Sequence, residues 1–314
     1  MPFRIPFAGE GEVFTPDSVL SHCYGALLPM FDTAEATTLR LLCREFKSTV
    51  AEFPWEDEVT VIRGSVAGWR ACFPRARWAN VSGFEQELTE KGRRTQVTDA
   101  DFVHFVGVKR LNMEWCRSIT DAGFVNLRGI HTLEMSFCAQ PTITDQAFSN
   151  LKGIYTLDMS LCYQTTITDQ AFSHLKGIHT LDMSHCSQPT ITDAAFFHLK
   201  GIHTLNMTFC NRATITDTAF SHLKGIHSLD MSFCDQPTIT DQAFSHLKGI
   251  QTLTMAGCSQ PTITGAAFQH LKGVCLASLV SCSLAVQAGA LEAGLITQGL
   301  ADVMRNFASD YVAP

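Results

Sequence analysis

Apolar and polar positions along this chain recur with a fixed step. Leu133, Leu157, Leu181, Leu205, Leu229 and Leu253 stand 24 residues apart, and Cys138, Cys162, Cys186, Cys210, Cys234 and Cys258 keep the same step. Cys116 precedes the cysteine series by 22 residues and Cys282 extends it by 24. Eight units follow, beginning at Val97, Ile119, Ile143, Ile167, Ile191, Ile215, Ile239 and Ile263. In each unit the pair Leu157-x-Met159 or its equivalent alternates apolar with polar, which predicts a short strand with one buried face. The first half of each unit predicts a short helix of about two turns. Thr144 is placed to cap it, Asp145 falls in its first turn, and Lys152 with Gly153 closes it. Ala147, Phe148, Leu151 and Ile154 then form one apolar stripe. A unit of strand, turn and helix has an apolar side that it cannot cover alone, so its neighbours must stack on it.

The strand half reads I-x-x-L-x-M-x-x-C, as in Ile154, Leu157, Met159 and Cys162. This resembles the leucine-rich-repeat pattern in its cysteine-containing form. Pattern and resemblance together predict an α/β protein: a right-handed leucine-rich-repeat solenoid over 97–282, with a parallel concave sheet and short convex helices. Met159, Met183 and Met207 should point inward. The eighth unit loses register, with Ala277 where leucine is expected, and LEAGLITQGLADVMRNF after it is helical by pattern. Residues 283–314 are therefore expected to be a helical cap over the last repeat.

The repeats leave 1–96 to something else. Residues 1–14 read as a tail, and 15–54 as short helices sharing an apolar face. Residues 55–96 read as degenerate repeats or a linker, with the polar run EQELTEKGRRTQ as an exposed loop. The run L-R-L-L-C-R-E-F-K at 39–47, with Met30, Phe31 and Asp32 before it, resembles the end and middle of an F-box. The start departs from that family, since Thr15-Pro16 stands where Leu-Pro is expected. The resemblance implies docking to the Skp-type adaptor of a cullin ubiquitin ligase, through Pro16, Leu20, Leu28, Leu39 and Leu42, with Phe46 turned inward. The residues by themselves give only a helical cap for the solenoid, and both readings stay open here.

Composition narrows the function classes. Formal net charge is −7, and from Gln96 onward 12 Lys/Arg face 17 Asp/Glu, so a surface for nucleic acid is not expected. No apolar run is long enough for a membrane helix, and the N-terminus lacks a signal-peptide pattern, which predicts an intracellular protein. The cysteines form no C-x-x-C pair. A parallel column of them does not converge on a metal ion, so each is expected to be reduced, buried and bonded through its thiol to a nearby carbonyl. Two histidine columns, one including His174 and His198 and the other His179 and His203, are expected to be solvated. No catalytic motif, cofactor signature or metal set is present, and the expectation is a protein that is not an enzyme.

Candidate chemistry therefore lies on the outward strand positions. Glu134, Asp158, Asp182 and Asp230 form an acidic column, flanked by Trp115, Phe137, Phe209 and Phe233. Carboxylates beside exposed aromatics suit a protein target with basic and apolar features on the concave face. The expected function is a non-catalytic interaction module, either the substrate receptor of a cullin-type ligase or a scaffold with no ligase link. Uniform copies left by duplication, with no evolved ligand, would look the same in one sequence.

Overall fold

The computed structural model describes residues 28–41, 44–57, 59–62, 64–83, 97–271 and 274–295. Its organising feature is one parallel sheet of nine strands in chain order. The strands are β1 (Trp78–Asn80), β2 (Arg110–Asn112), β3 (Thr132–Glu134), β4 (Thr156–Asp158), β5 (Thr180–Asp182), β6 (Thr204–Asn206), β7 (Ser228–Asp230), β8 (Thr252–Thr254) and β9 (Cys275–Ser278). Register follows the repeat: Leu133 pairs with Leu157, Leu157 with Leu181 and Leu181 with Leu205. The ladder shifts only at Leu253/Thr254, where β9 joins. β1 adds one strand before the eight units, so the segment 66–80 behaves as a degenerate repeat.

A single core runs through the stack. In the unit from Ile167, Ala171, Phe172, Leu175, Ile178, Leu181, Met183 and Cys186 are all buried, and the same positions are buried in the neighbouring units. Met159, Met183 and Met207 are fully buried, which fixes the expected register.

The helices are shorter than the sequence predicts. Asp145–Phe148 and Asp169–Phe172 are single turns. Thr144 and Thr168 cap them as expected, each hydroxyl accepting the amide two residues on. The glycines do not close these helices. Gly153 and its equivalents from Gly129 to Gly249 have φ of +79° to +88° and sit in the turn that leads into the next strand. The amide of Ile154 donates to the Leu151 carbonyl at 2.9 Å across that turn. Glycine is required there because left-handed backbone penalises a Cβ.

The repeats are also joined at the helix starts. Asp145 Oδ1 accepts the Thr168 amide at 2.7 Å and Oδ2 accepts the Thr168 hydroxyl at 2.7 Å. The same clamp links Asp121 to Thr144, Asp169 to Thr192, Asp193 to Thr216, Asp217 to Thr240 and Asp241 to Thr264. Each acid thus serves the helix of the following unit. The cysteine ladder does similar work inside: Cys162, Cys186, Cys210 and Cys234 donate to the carbonyls of Met135, Met159, Met183 and Met207 at 3.0–3.2 Å. All four are free thiols, and burial raises their pKa well above the ordinary range. At the end of the ladder burial pushes Cys282 up to about 11.

The two ends differ. Helix Leu284–Glu292 packs on the last repeat, where Gly289 lies directly against Gly265 and leaves no room for a Cβ on either. At the other end, helices Thr33–Leu39 and Arg44–Glu52 enclose a separate small core of Leu28, Ala36, Val50, Trp55, Phe73 and Ala76. Trp55 donates its indole N–H to the Val50 carbonyl at 2.7 Å. Asp57 ties this unit together, taking the Thr33 amide and hydroxyl on one oxygen and the Val59 and Thr60 amides on the other. Burial raises the Asp57 pKa, but the hydrogen bonds from Thr33 and Thr60 outweigh it and the carboxyl stays below its usual range. Trp69 packs against both cores and joins the unit to the solenoid.

Candidate functional site

The outward face of the sheet carries three rows. The first is Thr132, Thr156, Thr180, Thr204, Ser228 and Thr252, partly exposed. The second holds the predicted acids. Glu134, Asp158, Asp182 and Asp230 lie on adjacent or near-adjacent strands, with Asn206 between the last two.

The acids have local work as well as charge. Asp158, Asp182 and Asp230 each accept the amide two residues on, from Ser160, Ser184 and Ser232, at 2.8–2.9 Å. Asn112 and Asn206 make the same bond at 3.0 Å. An Asx side chain holding its own backbone this way fixes the exit from the strand. Glu134 is engaged differently, accepting Arg110 at 2.7 and 3.1 Å and Asn112 at 2.8 Å. Its charge is largely answered inside the protein. Asp182 Oδ2 accepts the Asn206 amide group at 2.7 Å.

Crowding of carboxylates leaves a trace. Burial, followed by the charges of Asp182 and Glu134, raises the Asp158 pKa above its usual range. Glu114 is raised too, by burial first and then by Asp158 and Glu134. A cationic group brought to this floor would relieve both.

The third row follows the strands and holds the predicted aromatics. Trp115 and Phe137 stack at 3.9 Å, His185 on Phe209 at 4.5 Å, and Phe209 on Phe233 at 4.5 Å. Leu161 interrupts the row between the two stacks. Phe209 and Phe233 remain 38% and 40% exposed and are the most open rings of the row. Serine positions between the acids and the rings are less open than the sequence suggests: Ser136, Ser184 and Ser232 are buried.

The aromatic row sits on unusual backbone. Trp115, Phe137, Leu161, His185, Phe209 and Phe233 have φ of +56° to +64°. Left-handed backbone costs a residue with a Cβ about 1–2 kcal/mol and is rare for bulky side chains. The equivalent position in the next repeat is Gly257, at φ +68°, with the Phe233 ring lying against it. Glycine is therefore what this backbone prefers, and six of the preceding units place a large side chain there instead. Sequence reasoning found the ring column but not its strain, although Gly257 in register with Phe209 and Phe233 was the available signal. It missed the Asp–Thr clamp because each helix was read alone rather than against its neighbour.

The adaptor-binding residues predicted at the N-terminus are not brought together as a described surface. Leu28 is 2% exposed and belongs to the small core, so it is a packing residue and not an exposed contact. Leu39 is half-buried. Pro16, Leu20 and Leu42 lie outside the described residues, and the side chain of Phe46 does as well.

Six copies of a BspA-type leucine-rich-repeat region match residues 141–275. The fold is a leucine-rich-repeat solenoid. Among solved structures it is similar to an internalin, InlF of Listeria monocytogenes, at 15% identity and a TM-score of 0.52, over 77% of this chain and 63% of that one. It is also similar to TLR13 in a complex with ssRNA13, at 19% identity and a TM-score of 0.50, over 68% of this chain and 34% of that one. The chain thus spans about a third to somewhat under two thirds of those proteins, and the likeness is one of fold. No curated protein matches the chain. Among the described residues no helix is long and apolar enough to cross a membrane, and no three His, Cys, Asp or Glu side chains group to hold a metal ion.

Proposed function

We propose that this solenoid is a non-catalytic scaffold that binds a protein through its sheet face. The observation that carries the reading is the aromatic row held on left-handed backbone. Six bulky side chains stand where glycine fits better, and two of the rings stay open to solvent beside acids whose charges repel one another. Strained positions that persist on a surface are characteristic of ligand contacts. Rings of this kind are typical binding anchors. The partner that fits presents a basic and an apolar feature side by side, the first for Asp158, Asp182 and Asp230, the second for Phe209, Phe233, Trp115 and Phe137.

Binding partners isolated with the chain test this by footprint. Hydroxyl-radical labelling should fall at Phe209, Phe233 and Trp115 when the partner is bound. Protection confined to the helices on the opposite side would contradict the reading.

A narrower version makes the same scaffold the substrate receptor of a cullin-type ubiquitin ligase. It rests on the F-box resemblance alone, carried by 30–32 and 39–47. We place it second because Leu28 is buried in the small core and is not an exposed contact. Capture of a Skp-type adaptor by the purified chain would raise it to first place. Absence of capture at micromolar concentration would leave the general scaffold.

A further inference from the structure

The edge where each helix turns into the next strand carries a pattern that the sheet face does not use. Every repeat passes through a tight turn there, closed for example by the Ile178 amide on the Leu175 carbonyl at 3.0 Å. Each turn presents one cation: Arg128, Lys152, Lys176, Lys200, Lys224 and Lys248, all exposed. Just past the turn the side chains stack in a column. His131, Tyr155, His179, His203 and His227 follow one another with ring centroids 4.3–4.8 Å apart. Nδ1 of His131, His179 and His203 lies 3.1–3.2 Å from the hydroxyl of the following threonine, so each Nε2 faces away from that threonine.

No carboxylate intrudes on this edge. In the six units from Ile119 to Ile239, the stretch from the second helical residue through the strand leucine, such as 170–181, contains no Asp or Glu. The acids of the same repeats lie elsewhere, on the strand floor or clamped to the neighbouring threonine, and Asp235 follows its strand, where it accepts the Ser259 hydroxyl. A chain of net charge −7 thus separates a row of cations from its acidic floor.

We infer that this ridge is a binding site for a linear sulfated polysaccharide, and that its affinity rises as the pH falls through the histidine range. Charge complementarity calls for a polyanion, and a row of cations at constant step calls for one with regularly repeated charge along a single line. Single-stranded nucleic acid would need open ring faces for its bases, but the faces of this column are covered by one another. A lipid surface would need a continuous row of apolar side chains to insert, but Val125, Tyr155 and Phe197 are separated along this edge, serines stand at 149, 173, 221 and 245, and Phe197 lies under the Lys200 ammonium at 4.2 Å.

The pH sign follows from what faces each ring. His203 is faced by His179 and His227, and desolvation together with their charges keeps it below the usual imidazole range. His222, in the outer histidine row, is lowered by desolvation and then by Lys200, with Asp193 acting in the opposite sense. In the free protein the charged forms of His203 and His222 are therefore disfavoured. A bound polyanion favours their charged form, so acid strengthens binding.

The test uses the full chain and heparin as probe, at fixed low ionic strength, at about pH 7.5 and about pH 5.5. Heparin affinity should rise by roughly tenfold or more between the two. A variant with His179, His203 and His227 changed to glutamine should lose that gain and keep its neutral-pH affinity. Gln251 already occupies the equivalent position in the next repeat, so the change suits the fold. A variant with Lys152, Lys176, Lys200, Lys224 and Lys248 changed to glutamine should weaken at both pH values by roughly tenfold or more, with an unchanged circular dichroism spectrum. Heparin that fails to bind at the lower pH, or binds both variants like the parent, overturns the site. Polyuridylate or phosphatidylserine vesicles binding as tightly as heparin overturns the choice of ligand.

Discussion

The solenoid and the N-terminal helical unit hold themselves together in different ways. In the solenoid the contacts that join the repeats mostly have copies one step away. Met183 lies in a column of buried methionines, and the Asp169–Thr192 clamp repeats along the stack. The helical unit has no copies. Among the described residues its core is Trp55 with five buried neighbours, tied by the carboxylate of Asp57. A periodic structure spreads a defect into neighbours that need the missing surface, whereas a small unrepeated core fails at one point and fails alone.

The sharpest way to break this comparison is a charge inside the stack. Met183→Asp places an unpaired carboxylate among fully buried neighbours, and it should cost about 5 kcal/mol or more and unfold the central repeats together. Hydrogen exchange should lose protection on both flanking repeats. Loss confined to the mutated repeat would show that the units are independent.

Next in size is Trp55→Ala, which removes the largest side chain of the small core and should cost that unit about 3–5 kcal/mol. Limited proteolysis should then open residues 28–57 while the repeats beyond Trp69 stay resistant. Asp169→Ala removes two hydrogen bonds to Thr192, one of them to the cap of the following helix, and should cost about 2–3 kcal/mol in chemical denaturation. Asp169→Asn should recover part of this, because one acceptor oxygen remains.

Where the period ran, the sequence was legible to the residue. The strands, the inward methionines, the threonine caps and the thiols bonded to carbonyls all follow from positions repeated at one step. Helix length was not legible, because Leu151 and Ile154 continue an apolar stripe that the chain satisfies from a turn rather than from a second helical turn. The positive φ of the aromatic row was hidden as well, since phenylalanine gives no hint of left-handed backbone and only Gly257 does. Before Val97 there is no period. Leu28, expected at a surface, turned inward because a small core takes whatever apolar group is nearest.

A smaller effect probes the acidic floor. Asp158→Asn keeps the acceptor for the Ser160 amide and removes repulsion from Asp182 and Glu134, as Asn206 already does in its own repeat. The folded protein raises this pKa, so the charged form opposes folding above that pKa and the opposition fades as pH falls through it. The variant should therefore be more stable by roughly 0.5–1 kcal/mol at neutral pH, with the gain vanishing in acid. Thermal melts across pH would check both halves.

The central claim is that the aromatic row is there to bind and not to hold the fold. Changing Phe209 and Phe233 to glycine together tests it most directly. Relief of left-handed strain should offset the lost stacking, leaving stability within about 1–2 kcal/mol of the parent, while capture of the natural partner falls by at least about tenfold. A variant that loses several kcal/mol of stability yet still captures its partner with parental affinity would contradict the account.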